Sequence, residues 1–331
     1  GGFNTRISPH GPGGDIVIYD TATAEVDRFL QGHGAPIVAL DYSPSGKRLV
    51  SAARNGEVIL WEESRQWEPA RIRAAVEFDG VFTPVRFLTE DMIVMPVRQG
   101  RSAQWQLAIV NANSPKAAPR ILEQPHFASV ITIAVDPINK RWATADIGDK
   151  RPNATAEDQK RRGTVYIWEG FDNPTVKVLR HGRMALAMDF DPAGRLFVAT
   201  ALYPYADGTR QSVLEMWDVL GGKMLDEVET SRRDPTHVCR VSPDGSRVAT
   251  FAGHDSELRV YMLKDRQGQL IDKPLQKAPL RLRGRGRGML KVAFSTGPGY
   301  QFGYGTQPAK EPTVNELAPI TQGVDAQSMT P

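Results

Sequence analysis

Residues 32–62 read GHGAPIVALDYSPSGKRLVSAARNGEVILWE, and this stretch decides the fold. It opens on Gly32-His33, places Ser43-Pro44 ten residues after the histidine, and closes on Trp61-Glu62. The same arrangement recurs along the chain. His126 stands ten residues before Asp136-Pro137 and His181 ten before Asp191-Pro192, with Trp168 and Trp217 downstream as Trp61 is. Ser242-Pro243 and degenerate copies at Leu88 and Ser295 bring the series to six. A repeat near fifty residues, about the length of one small sheet, builds a propeller or solenoid rather than a single-core enzyme.

The content of each copy is β. Runs with a period of two, Ile16 to Tyr19, Val58 to Trp61, Val165 to Trp168 and Leu258 to Tyr261, are rich in β-branched and aromatic residues, as strands are. Tyr19, Trp61, Trp168, Trp217 and Tyr261 anchor the copies, with Val110-Asn111 in the missing place. Each copy has room for four strands. Such sheets carry apolar residues on both faces when stacked between two others, so they need a ring of neighbours.

Residues 32–62 resemble a WD40 repeat, whose family pairs Gly-His with Trp-Asp and folds as one propeller blade. The resemblance covers about residues 14–305 and is strongest in the first copy. It implies an all-β, WD40-like β-propeller of six or seven four-stranded blades with incomplete terminal blades. Six results if the two leading strands join the two trailing ones in a composite blade. Residues 1–305 then form the ring, and 306–331 a polar, Pro-rich tail holding at most one further strand. Gly1 in place of a methionine and the short first copy suggest a piece of a longer, bacterial-type multidomain protein.

The resemblance further implies a hydrogen-bonded set in each blade: the histidine of Gly-His, a Ser or Thr on the second strand, an Asp in the next turn, and the tryptophan. The first copy offers His33, Ser51 and Trp61, with Asn55 in place of the acid. The third offers His126, Thr144 and Trp168. The fourth offers His181 and Trp217, with Thr200 one residue out of register, and the fifth Thr250, Asp255 and Tyr261, with Arg232 where the histidine would be. On this reading no copy is complete.

Aligning the first strands on the turn pairs gives a core column of Leu40, Val85, Ile133, Met188, Cys239 and Val292. Its alternate is Asp41, Arg86, Ala134, Asp189, Arg240 and Ala293, which the ring turns toward its central channel. Asp41 with Arg86, and Asp189 with Arg240, are then expected to meet across neighbouring blades.

Composition narrows the function. The chain of 331 residues is 40% hydrophobic and 24% charged, enough for one large ring domain. A net charge of +3 is too small for a general nucleic-acid surface. Arg281, Arg283, Arg285 and Arg287 fit a fourth strand and its connection better than an RNA contact. A single cysteine, Cys239, excludes a disulfide framework and a cysteine-rich metal site. No run of eighteen apolar residues spans a membrane. Motifs for zinc hydrolysis, serine nucleophiles or phosphate-binding loops are absent, so no cofactor and no metal are expected. His10, Asp15, Asp146 and Asp207 are the residues a channel-mouth hydrolase would use.

Function in a repeat scaffold resides where copies differ. The connection between second and third strands is Arg54 to Glu57 in the first copy, but it lengthens from Phe3 to Gly14, Ile147 to Gly163, Tyr203 to Gln211 and Gln307 to Pro319. All four occupy one topological place and so one rim. The expected activity is non-catalytic: a protein–protein scaffold, monomeric as a domain, that presents this rim to a protein or peptide through Arg6, His10, Arg161, Arg162, Tyr203, Tyr205 and Asp207. The cytoplasm is the favoured compartment. The alternatives are a regulatory propeller of a larger bacterial enzyme, such as a caspase-like peptidase, and a propeller hydrolase with a channel metal.

Overall fold

The structure is a computed structural model that describes residues 14–19, 25–72, 84–98, 105–126, 128–147, 163–180, 182–201, 203–204, 210–252, 257–283, 289–294 and 302–306. Its regular elements are strands and two short 3-10 turns. The first blade is β3 (Ile37–Tyr42), β4 (Arg48–Ala53), β5 (Val58–Glu62) and β6 (Ala70–Arg71), paired antiparallel in chain order. The second is β7 (Arg86–Phe87), β8 (Met92–Val97), β9 (Trp105–Asn111) and β10 (Arg120–His126). The third is β11 (Val130–Asp136), β12 (Arg141–Asp146), β13 (Val165–Glu169) and β14 (Thr175–Arg180).

The fourth blade departs from this plan. It orders β15 (Ala185–Phe190), β16 (Arg195–Thr200), β18 (Arg210–Asp218) and β19 (Lys223–Ser231), with β17 (Tyr203–Pro204) added beside the start of β18. The fifth returns to four strands: β20 (Thr236–Val241), β21 (Arg247–Ala252), β22 (Glu257–Met262) and β23 (Leu280–Arg283). Two-stranded ladders stand at the ends, β1 (Ile16–Tyr19) with β2 (Val26–Leu30), and β24 (Met289–Phe294) with β25 (Phe302–Thr306).

The described residues thus form five four-stranded blades rather than the six or seven expected. Among the described residues the two ladders are separate sheets, with no strand pairing between them. The repeat count overran because it credited each partial copy with a blade. The expected tail lies, beyond Thr306, outside the described residues.

Burial explains the stacking. Strands in a blade place alternate residues on opposite faces, and each face fills a different interface. Val50, Ala52, Val58 and Leu60 of the first blade pack with Phe87, Ile93 and Met95 of the second. Leu49, Ile59 and Trp61, one residue out of phase, pack with Ile16 and Leu30 of the leading ladder. The fourth blade does the same: Leu196 and Val198 face the third blade, whereas Phe197 and Ala199 face the fifth. No blade has a core of its own, so each is stable only between neighbours.

The turn pairs work by side-chain capture of the backbone. Ser43 Oγ, Asp191 Oδ1 and Ser242 Oγ accept the N–H groups of Arg48, Arg195 and Arg247 at 3.2, 2.8 and 2.9 Å, and Asp136 Oδ1 takes that of Asn139 at 3.1 Å. Gly245 closes its turn at φ +65°, and a Cβ there would lie 2.9 Å from Pro192 Cδ of the neighbouring blade, so both conformation and space require glycine.

Candidate functional site

Two of the histidines are buried parts of a hydrogen-bonded set. In the third blade Trp168 Nε1 donates to Thr144 Oγ1 at 2.9 Å, Thr144 Oγ1 and His126 Nε2 are 3.2 Å apart, and His126 Nδ1 lies 3.3 Å from Asp146 Oδ2. With the ring proton on Nδ1 the chain runs Trp168 to Thr144 to His126 to Asp146, each group donating to the next. All four are buried. The set is complete, which corrects the expectation that no copy would be. The acid comes from the end of the second strand instead of the turn beyond it. Asp146 is thereby committed within the blade and is not free for channel-mouth chemistry.

The first blade lacks that acid. Trp61 Nε1 donates to Ser51 Oγ at 2.8 Å and His33 Nε2 lies 2.6 Å from the same oxygen. His33 Nδ1 has no hydrogen-bond partner, and Glu57 Oε2 stands 3.7 Å away. Burial pushes the His33 imidazole down to about 4, with Glu57 opposing the shift. Burial raises the Glu57 carboxyl, but hydrogen bonds from Gly34, Asn55 and Arg71 outweigh it and hold the group low. Since His33 is neutral when folded and protonates near pH 6.5 when unfolded, the unfolded chain binds more protons between those values. Stability from this group is complete above about pH 6.5 and is lost as pH falls toward 4. At about 1.4 kcal/mol per unit, urea melts at pH 7 and pH 4.5 should differ by about 2–3 kcal/mol more in wild type than in a His33→Gln variant. Equal differences in the two proteins would remove His33 from the acid response.

In the fourth blade the tryptophan is held by a charged network. Trp217 Nε1 donates to Glu215 Oε2 at 2.9 Å, and Arg180 Nε donates to the same carboxylate oxygen at 2.8 Å. Arg183 Nη1 reaches Glu215 Oε1 at 3.1 Å and also bonds Glu227. Arg180 Nη1 holds the carbonyls of Gly163, at 3.1 Å, and Arg183. Thr200 turns instead to the backbone of Val213, at 3.0 and 3.3 Å. His181 lies outside the described residues. In the fifth blade Thr250 is buried opposite Arg259. Arg232 is exposed and pairs with Glu229 at 2.7 Å, so it does not occupy the histidine's place. Asp255 also lies outside the described residues.

The alternate column of the first strands lines the axis. Asp41, Arg86, Ala134, Asp189 and Arg240, with Ile133 and Val135, surround a cavity of about 280 Å³. Arg86 Nη1 donates to Asp41 Oδ1 at 3.0 Å and the Phe87 N–H to Asp41 Oδ2 at 2.8 Å, joining the first and second blades. Asp189 takes the Val241 N–H at 2.8 Å, joining the fourth and fifth. Asp189 and Arg240 approach across the fourth and fifth blades as expected and attract each other in the same cavity, but not closely enough for an ion pair. Cys239 is buried, and burial pushes its thiol up, so it packs as a small apolar group.

The rim that carries the long connections is partly described. Strand β12 ends at Asp146 and β13 begins at Val165, whereas β4 and β5 are joined by Arg54 to Glu57. In the fourth blade the lengthening is built structure rather than a simple loop, because Tyr203 and Pro204 pair with Gln211 and Arg210. Arg6, His10, Arg161, Arg162, Tyr205 and Asp207 lie outside the described residues, as does the side chain of Tyr203. Among the described residues no group of three or more His, Cys, Asp or Glu could hold a metal ion, and no helix is long and apolar enough to cross a membrane.

Residues 25–62 match the family model of the WD domain, G-beta repeat. The match starts with the outer strand of one unit and ends with the third strand of the next, so the sequence repeat straddles two blades. Among solved structures the chain is similar to the C-terminal WD40 domain of Sif2, at 15% identity and a TM-score of 0.56, over 88% of this chain and 73% of that one. At that identity the likeness is one of fold. No curated protein sequence matches the chain. The repeat matched at residues 25–62 and the blades stacked face to face around a polar axis give the chain a WD40-like β-propeller fold.

Proposed function

We propose that this propeller is a non-catalytic interaction scaffold that presents its long-loop rim to a protein or peptide. The observation that carries the reading is the contrast between blades on one rim. The second-to-third-strand connection is four residues in the first blade, 18 residues (147–164) in the third, and a hairpin extension through Tyr203–Pro204 in the fourth. The blades keep their stacking, and the variation is concentrated where it does not disturb a core, as expected of binding elements on a rigid support. Arg161, Arg162, Tyr203 and Tyr205 are the residue types that most often dominate interfaces, Tyr through area and Arg through forked donors. Arg6, His10 and Asp207 belong to the same set of connections.

Replacing residues 149–161 by a four-residue turn should leave the melting temperature nearly unchanged, since loop length enters closure entropy only logarithmically. Capture of the partner identified with the intact ring should fall at least tenfold. A control ring altered at the opposite rim, by Ser45→Ala and Glu90→Ala, should capture normally. Undiminished capture by the trimmed ring would move the site to the other rim or to the axis.

A further inference from the structure

The axial cavity contains a charge arrangement that the protein leaves open. Asp41 and Arg86 are in direct contact and satisfy each other. Asp189 and Arg240 line the same cavity on neighbouring blades without an ion pair. Asp189 takes the Val241 N–H on Oδ2 and is also held by the Phe190 N–H, and the hydrogen bond from the Arg240 side chain goes from Nη1 to its own Cys239 carbonyl at 3.3 Å. Arg86 spends Nε on the Ile133 carbonyl at 3.2 Å and Nη1 on Asp41, which leaves Nη2 for the cavity. The guanidinium groups of Arg86 and Arg240 and the carboxylate of Asp189 therefore line one polar space, where Asp189 attracts both arginines without forming an ion pair with either among the described residues.

Charge balance selects the ligand. A simple anion placed against Arg240 and Arg86 would also meet Asp189, and the repulsion offsets a gain of similar size. A simple cation meets the converse problem. A dipolar molecule with a carboxylate toward the arginines and an ammonium toward Asp189 gains at both ends and adds no net charge. The volume, about 280 Å³, lies just under the range of drug-sized pockets and suits a small molecule. We propose that the axial cavity binds a small zwitterion, with a free α-amino acid as its simplest form: Arg240 and Arg86 take the carboxylate and Asp189 the ammonium. This site is separate from the rim proposed for the protein partner.

The test uses L-alanine, acetate and methylammonium chloride as probes at equal ionic strength, with binding to the whole chain read by saturation-transfer difference NMR. L-Alanine should bind saturably, and acetate and methylammonium at least tenfold more weakly, since each satisfies one end only. Asp189→Asn and Arg240→Gln should each weaken L-alanine at least tenfold, with Arg240→Lys intermediate because it keeps the charge and loses the fork. No saturable L-alanine signal, acetate binding as tightly as L-alanine, or full binding by folded Asp189→Asn and Arg240→Gln would each overturn the proposal. The comparison of the three probes on the unaltered chain decides the matter without any variant.

Discussion

Glu215→Ala should destabilise the ring by about 3–5 kcal/mol, among the largest effects of any single change here, because it strips a buried guanidinium of its counter-charge. The side chains of Glu215 and Arg180 are 2% and 7% exposed. Glu215 also receives the Trp217 indole and Arg183, so three donors lose their acceptor together. Burial already pulls the Arg180 guanidinium down, with Glu215 opposing the shift, and removal of the carboxylate leaves the desolvation uncompensated. Arg180→Met with Glu215→Leu should recover part of the loss, since a matched apolar pair leaves no orphaned charge, while the Trp217 indole and the Gly163 carbonyl still lose their partners. The double change should therefore cost less than Glu215→Leu alone, which the sum of two destabilising changes does not allow. Denaturant melts of the unaltered chain, Arg180→Met, Glu215→Leu and the double variant give the coupling. A Glu215→Ala cost below 1 kcal/mol would mean that water reaches the network.

The hydrogen-bonded sets and the charged network show what the sequence could tell and where it stopped. His33, Ser51 and Trp61, and His126, Thr144 and Trp168, were legible because a repeat places equivalent residues at equal distances from a turn. Asp146 was missed because the acid was sought in the turn after the second strand. In a strand, side chains two apart share a face, so Asp146 lies beside Thr144 and can reach His126. The equivalent residue after Ser51 is Ala53, which is why Glu57 approaches from the next turn and only to 3.7 Å. Glu215 carried a signal that went unread: a carboxylate two places before a tryptophan, in a strand whose neighbours Val213, Leu214 and Met216 are all buried. Asp41, Arg86, Asp189 and Arg240 reached the axis as the alternation required. The missing ion pair between the last two depends on side-chain placement that no column of types encodes. The blade count failed for a related reason, since a turn and an aromatic mark a copy without showing that all its strands pair.

The third blade allows the hydrogen-bonded set to be separated from the packing around it. Trp168 stacks on Trp142 with ring centroids 4.5 Å apart and planes 12° from parallel, and both indoles are buried between the second and third blades. Trp168→Ala removes the stack and the indole donor and leaves a cavity between blades that have no separate cores, so a loss of about 3–5 kcal/mol is expected. Trp168→Phe keeps much of the aromatic contact while depriving Thr144 of its donor. The lost hydrogen bond should cost about 1 kcal/mol, and the smaller ring about the same again. Combining Trp168→Phe with Asp146→Asn should cost measurably less than the sum of the single changes, because each interrupts the same line of donors through Thr144 and His126. Exact additivity in denaturant melts would mean that Trp168 is held by packing alone, and that the buried polar groups of this blade act independently.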